Sequence, residues 1–90
     1  MSRPCKKRRI KGRPNSSYFK PAGIPIKELE HIELTLEEFE TIRLIDFEKI
    51  SQEKASKKME ISQPTLSRIL TNARNKIAEA IIKGKAIKIS

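Results

Sequence analysis

Gln63, Pro64, Ser67, Arg68 and Thr71 follow one another at steps of one and three residues, a spacing that gathers side chains on one face of an α-helix. Their chemistry is that of base-edge recognition. An arginine fork matches the two acceptors of guanine in the major groove, and a glutamine amide matches the donor and acceptor of adenine. Serine and threonine serve either base, and an apolar ring can meet the thymine methyl. Ser51, Gln52, Lys54 and Thr65 are of types that hold phosphate, aided by the free amides of a helix beginning after Ser51. Taken singly, none is distinctive, since an arginine on a helix surface is usually only solvated. The set carries the argument.

The charge pattern agrees with it. The formal net charge is +9, and it is unevenly spread. Arg3, Lys6, Lys7, Arg8, Arg9, Lys11 and Arg13 all precede the first acid, Glu28. Acids then dominate as far as Glu60. After Ser62, Arg68, Arg74, Lys76, Lys83, Lys85 and Lys88 stand against Glu79 alone. Such segregation predicts one side that faces a polyanion.

Other chemistries find little support. Cys5 is the only cysteine and His31 the only histidine, so no intrachain disulfide, zinc site or other cofactor is expected. No nucleophile–base pairing is visible, and ninety residues with four aromatics (Tyr18, Phe19, Phe39 and Phe47) leave little room to wall a substrate cavity. The expectation is a protein without enzymatic activity. No apolar run has the length of a membrane span, and the basic N-terminus lacks the apolar stretch of a signal peptide. A cytoplasmic location is therefore expected.

Residues 1–17 hold almost no apolar residue except Ile10, among cations, Pro4, Gly12 and Pro14, which predicts a flexible basic arm. Residues 18–90 form the expected domain. Ser17–Lys20 reads as a short strand, and Pro21-Ala22-Gly23-Ile24-Pro25 as an extended, turning path. Ile26, Leu29 and Ile32 have helical spacing over a segment that allows one turn. Thr35-Leu36-Glu37-Glu38 fits a capping box, and Leu36, Phe39, Ile42 and Ile45 extend a helix to about Phe47. Ser51 caps a helix over Gln52–Met59, with Ala55, Ser56 and Met59 facing inward. Ser62 caps the next, with Pro64 in its first turn and an apolar stripe of Leu66, Ile69, Leu70, Ala73, Ile77, Ala80 and Ile81. Gly84 is placed to end it, and Ala86–Ile89 reads as a strand.

Two capped helices around Glu60-Ile61-Ser62 make a helix-turn-helix, with Ser56, Ile61, Leu66 and Ile69 as its packing residues. Here the chain resembles known families. Leu34-Thr35-Leu36-Glu37-Glu38-Phe39-Glu40-Thr41-Ile42-Arg43-Leu44, with Ile50-Ser51-Gln52-Glu53, is similar to the fourth region of bacterial sigma factors, a helix-turn-helix that reads a promoter element. Arg3-Pro4 and the basic run after it, Tyr18-Phe19-Lys20-Pro21-Ala22-Gly23-Ile24-Pro25, Ile61-Ser62-Gln63-Pro64-Thr65-Leu66-Ser67-Arg68-Ile69-Leu70 and Gly84-Lys85-Ala86-Ile87 resemble more closely UPF0251, or DUF134. That is a small prokaryotic family of predicted DNA-binding proteins, and the resemblance covers nearly the whole chain. Two positions depart from its pattern: Ser56 stands where alanine is usual, and Glu60 where the turn usually has glycine. A side chain in a left-handed turn costs about 1 kcal/mol, so strain is expected at Glu60.

The expected fold is all-α: a sigma region 4-like helix-turn-helix core with a basic N-terminal arm and short terminal strands. The expected function is sequence-specific binding of double-stranded DNA in transcription regulation, with a recognition helix at about residues 63–83 in the major groove. A homodimer is expected through the C-terminal part of the long helix, at Ile77, Ile81 and Ile82. The alternatives are a ribosome-associated RNA-binding protein, which the arm alone would suit, and a sigma-like protein-interaction module. Few aromatics weigh against single-strand recognition, where stacking dominates.

Overall fold

The structure, a computed structural model, describes residues 18–90. The basic arm expected over residues 1–17 lies outside them. The chain runs β1 (Tyr18–Phe19), a 3₁₀ turn (Ile26–Glu28), β2 (His31–Leu34), α1 (Leu36–Ile42), a π turn (Arg43–Phe47), α2 (Gln52–Met59), α3 (Gln63–Lys83) and β3 (Ala86–Ile89). The fold is mostly helical, as expected, but a three-stranded sheet of order β1-β3-β2 is built into it.

Each helix begins where a side chain can replace the missing intrahelical acceptor. Thr35 Oγ1 accepts from the Glu38 amide at 3.1 Å, and Glu38 Oε1 accepts from the Thr35 amide at 2.9 Å, completing the capping box. Ser51 Oγ accepts from the Lys54 amide at 3.1 Å, and Ser62 Oγ from the Thr65 amide at 3.3 Å. At the far end of α3, Gly84 takes φ 69°, and the Lys85 amide reaches back to the Ala80 carbonyl at 2.9 Å. That is a Schellman-type close, which glycine accommodates without a Cβ penalty.

The first helix does not run evenly to Phe47. From Arg43 it widens into a π turn, with the Glu48 amide donating to the Arg43 carbonyl at 2.9 Å. Arg43 holds the wide turn closed. Its Nε and Nη2 donate to the two carboxylate oxygens of Glu40 at 3.0 and 2.8 Å, and its Nη1 to Glu48 at 2.7 Å. Lys49 then takes φ 65°, which redirects the chain into α2 and brings Ile50 against the core.

β2 is a correction to the all-α reading. Ile32 belongs to an extended segment rather than a helical turn, because Leu29 already leaves the 3₁₀ turn in an extended conformation. The strand pairs parallel with β3, His31 beside Ala86 and Leu34 beside Ile89, while β1 pairs antiparallel with the other edge of β3. The structure has two apolar centres. Leu44, Ala55, Met59 and Leu66 join the π turn to α2 and α3. Leu34, Ala73 and Ile89, with Phe39, Ile42, Ile77 and Ile87, join the sheet to α1 and α3. Ile77 is thus half-buried and packed against the second of these centres. Of the trio expected at a subunit interface, Ile81 and Ile82 stay exposed.

Candidate nucleic-acid interface

α2 and α3 are held together from below by Ala55, Met59 and Leu66, all fully buried. The turn between them closes as α3 does at its end. The Ile61 amide donates to the Ser56 carbonyl at 3.0 Å, and Glu60 adopts φ 60°, ψ 44°. The left-handed geometry expected at this position is therefore present, on a residue that bears a Cβ. Ile61 then turns inward against the core. Ser56, which stands where alanine was expected, is buried without being orphaned, since its hydroxyl donates to the Glu53 carbonyl at 2.9 Å.

The same packing fixes what α3 turns outward. Leu66, Ile69, Leu70, Ala73 and Ala80 face the core, and Gln63, Pro64, Ser67, Arg68 and Thr71 are exposed on the opposite arc. The structure gathers all five proposed base-reading residues on one face, spanning about 140° of arc at 3.6 residues per turn. Asn72 and Asn75 continue that exposed face along the helix. Sequence reasoning passed over them, although their three-residue step was the available signal.

The proposed phosphate-holding set is less uniform. Ser51, Gln52 and Lys54 are exposed around the start of α2, with the Ser51 oxygen committed to its cap. Thr65 is half-buried, and its Oγ1 accepts from the Ser62 hydroxyl at 2.9 Å. Its geometry belongs first to the cap. Lys57 and Lys58, also exposed on α2, add cations beside Lys54.

Ion pairing divides the cations in a way the sequence does not announce. Arg74 is bound in a fork by Asp46, at 3.2 and 2.6 Å. Lys76 meets Glu38 at 2.9 Å and the Glu33 carbonyl at 2.8 Å. Lys85 meets Glu79 at 2.8 Å and Glu30 at 3.2 Å. Three of the six basic residues after Ser62 are thus held by acids of the fold, which narrows the polyanion-facing side expected there. The guanidinium proton affinities follow: Arg43 is raised chiefly by its hydrogen bond to Glu40, and Arg74 by that to Asp46. Arg68, Lys54 and Lys58 make no ion pair among the described residues.

Among the described residues, no group of three or more histidine, cysteine or acidic side chains is placed to hold a metal ion, and no helix is long and apolar enough to cross a membrane.

The molecule is a small, mostly helical domain in which a three-stranded sheet and a clamped π turn support two serine-capped helices. It belongs to the DUF134 family, described as a protein of unknown function, whose family model matches residues 1–90. A UPF0251 protein of Halothermothrix orenii is 51% identical over 88 residues, covering 98% of this chain and 65% of that protein. A second, from Caldanaerobacter subterraneus, is 51% identical over 89 residues, covering 99% of this chain and 75% of its own length. One from Clostridium tetani is 48% identical over 90 residues, covering 100% of this chain and 61% of its own. The chain thus spans about two thirds of the length of these curated relatives. No solved structure matches it.

Proposed function

We propose that the protein recognises specific sequences of double-stranded DNA and regulates transcription, acting in the cytoplasm without enzymatic chemistry of its own. In this reading α2, the turn at Glu60 and α3 form a helix-turn-helix of the kind found in the fourth region of sigma factors. α3 lies in the major groove through its N-terminal half, and α2 abuts the backbone. The supporting observation is the exposed arc of Gln63, Pro64, Ser67, Arg68 and Thr71, whose arginine is left without a carboxylate while Arg43 and Arg74 are both taken. An unpaired guanidinium can meet guanine in a fork without first breaking an internal pair.

Gel shifts with random duplex, structured RNA and single strands test the reading, followed by selection of bound sites from a random duplex pool. Duplex retention with an enriched sequence is the expected result. Preferential retention of RNA would replace it with the ribosome-associated alternative. Failure to hold any nucleic acid would leave the helix pair as a protein-docking module. Within the selected site, Arg68→Ala should weaken specific binding by roughly 1–3 kcal/mol and relax preference at one base pair. An equal loss on random duplex would reassign Arg68 to phosphate.

A further inference from the structure

We infer that Asn75 is a specificity-determining residue that reads an adenine in the major groove, carrying the contact past the N-terminal half of α3 into its middle turns. The inference deepens the DNA-binding reading and rests on it. Helix propensity is the first observation behind it. α3 runs for 21 residues, and Thr71, Asn72 and Asn75 all stand in its interior, away from the first and last turns. All three are poorer helix formers than alanine: threonine loses rotamer freedom, and the asparagine amide competes for backbone hydrogen bonds. All three are exposed, and neither asparagine side chain makes a hydrogen bond among the described residues. The fold gains nothing from them that alanine would not supply. A local preference broken without a structural gain marks a position kept for function.

Geometry places Asn75 at the crest of the helix. Leu66, Ile69, Leu70, Ala73 and Ala80 define the side that faces the core. At 3.6 residues per turn, Asn75 lies within about 20° of the opposite direction, and Arg68 and Thr71 lie within about 40° of it. The chain neighbours of Asn75 are drawn aside. Arg74 is held by Asp46 of the π turn on one flank, and Lys76 by Glu38 of α1 on the other. Asn75 stands exposed between these two ion pairs, with no carboxylate of its own.

Spacing and chemistry agree on the ligand. Arg68, Thr71, Asn72 and Asn75 fall at i, i+3, i+4 and i+7. Homeodomain recognition helices meet the bases with the same spacing, and from their middle turns. An asparagine amide offers adenine one donor for N7 and one acceptor for the N6 amino group, as an arginine fork serves guanine. Glu79 bounds the contact. It is the one acid of α3, lies one turn beyond Asn75, and would meet phosphate with like charge.

Selection of bound sites from a random duplex pool, with the full chain and its Asn75→Ala variant, tests the inference. The variant should lose a preference for adenine at one position, distinct from the base pair that Arg68→Ala relaxes. Its affinity for the wild-type site should fall roughly five- to a hundredfold. Putting 7-deazaadenine at that position removes the N7 acceptor, which should weaken the wild-type protein and leave the variant unmoved. The Tm of Asn75→Ala should hold or rise, since alanine is the better helix former. A lowered Tm would assign the amide a structural role and overturn the inference. So would a selected site that Asn75→Ala leaves unchanged while Arg68→Ala still relaxes one base pair, and the DNA-binding reading would then stand without it. A wild-type chain that retains no duplex removes both.

Discussion

Glu60 and Gly84 solve one problem with different residues. Both close a helix in the left-handed region, at φ 60° and φ 69°, and each is followed by an amide that reaches back to a carbonyl five residues earlier. Glycine does this freely, and glutamate carries a Cβ cost. Glu60→Gly should therefore raise stability by at most about 1 kcal/mol, a rise of roughly 4–8 °C in Tm for a domain this size, with duplex binding unchanged. A lowered Tm in a thermal melt would show that the Glu60 side chain contributes more than its backbone costs. Asp46 offers a second test at this scale. Its hydrogen bond from Arg74 holds the carboxyl below its ordinary value of 3.8, against a smaller opposing effect of burial. A depressed carboxyl stabilises the fold above its unfolded value, and that contribution is lost as the pH falls through the folded value. The link is thus complete at neutral pH and fades below about pH 4. Both partners are more than a third exposed, so its worth is under ~1 kcal/mol. Asp46→Asn should lower Tm slightly at pH 7 and leave it unmoved in strong acid. An equal loss at both would remove charge as the cause.

Among the elements, the clamped π turn is the one with the most to lose. The Glu40 side chain is 2% exposed and takes two hydrogen bonds from Arg43. Arg43→Met should cost about 3 kcal/mol in urea unfolding, since a buried carboxylate then loses its fork while the aliphatic stem is largely kept. A loss below about 1 kcal/mol would mean that water or another group replaces the guanidinium. What could be read from sequence at this scale follows the range of the interactions. Thr35, Ser51, Ser62 and Gly84 act within one turn of themselves, and each marks its helix boundary. The π turn was hidden because it depends on Arg43 meeting both Glu40 and Glu48, which an apolar period does not report. β2 was hidden because Ile32 fits a helical step equally well and its partner lies more than fifty residues away. The outward arc of α3 was legible from period alone. Which cations on the surface were already spoken for was not, since Asp46 meets Arg74 and Glu38 meets Lys76 only across the fold.

For the molecule as a whole, the described domain presents the exposed polar arc of α3 proposed to read DNA, and residues 1–17 carry a further dense run of cations outside it. If that run follows DNA, it adds affinity with little sequence preference, as basic arms in a minor groove do. Each phosphate it neutralises adds about −0.9 to the slope of log K against log salt. Deleting residues 2–13 should flatten that slope by several units and leave the selected core sequence intact. Coincident slopes for the two proteins, measured from low to moderate salt, would confine DNA contact to α2 and α3.

The order of the sheet has a consequence in time. β1 and β2 are made early, yet neither pairs with the other: both wait for β3, which lies between them and is among the last segments of the domain to be synthesised. The parallel β2–β3 pairing closes a loop holding every helix of the domain, a contact of high sequence separation that forms slowly. On a ribosome, α1, α2 and much of α3 can gather around Met59 and Leu66 while Leu34 and Ile77 still lack Ile89 to pack against. Until Ala86–Ile89 emerges, the nascent chain has a helix pair without its sheet, and the apolar side of β2 is open to whatever else is nearby.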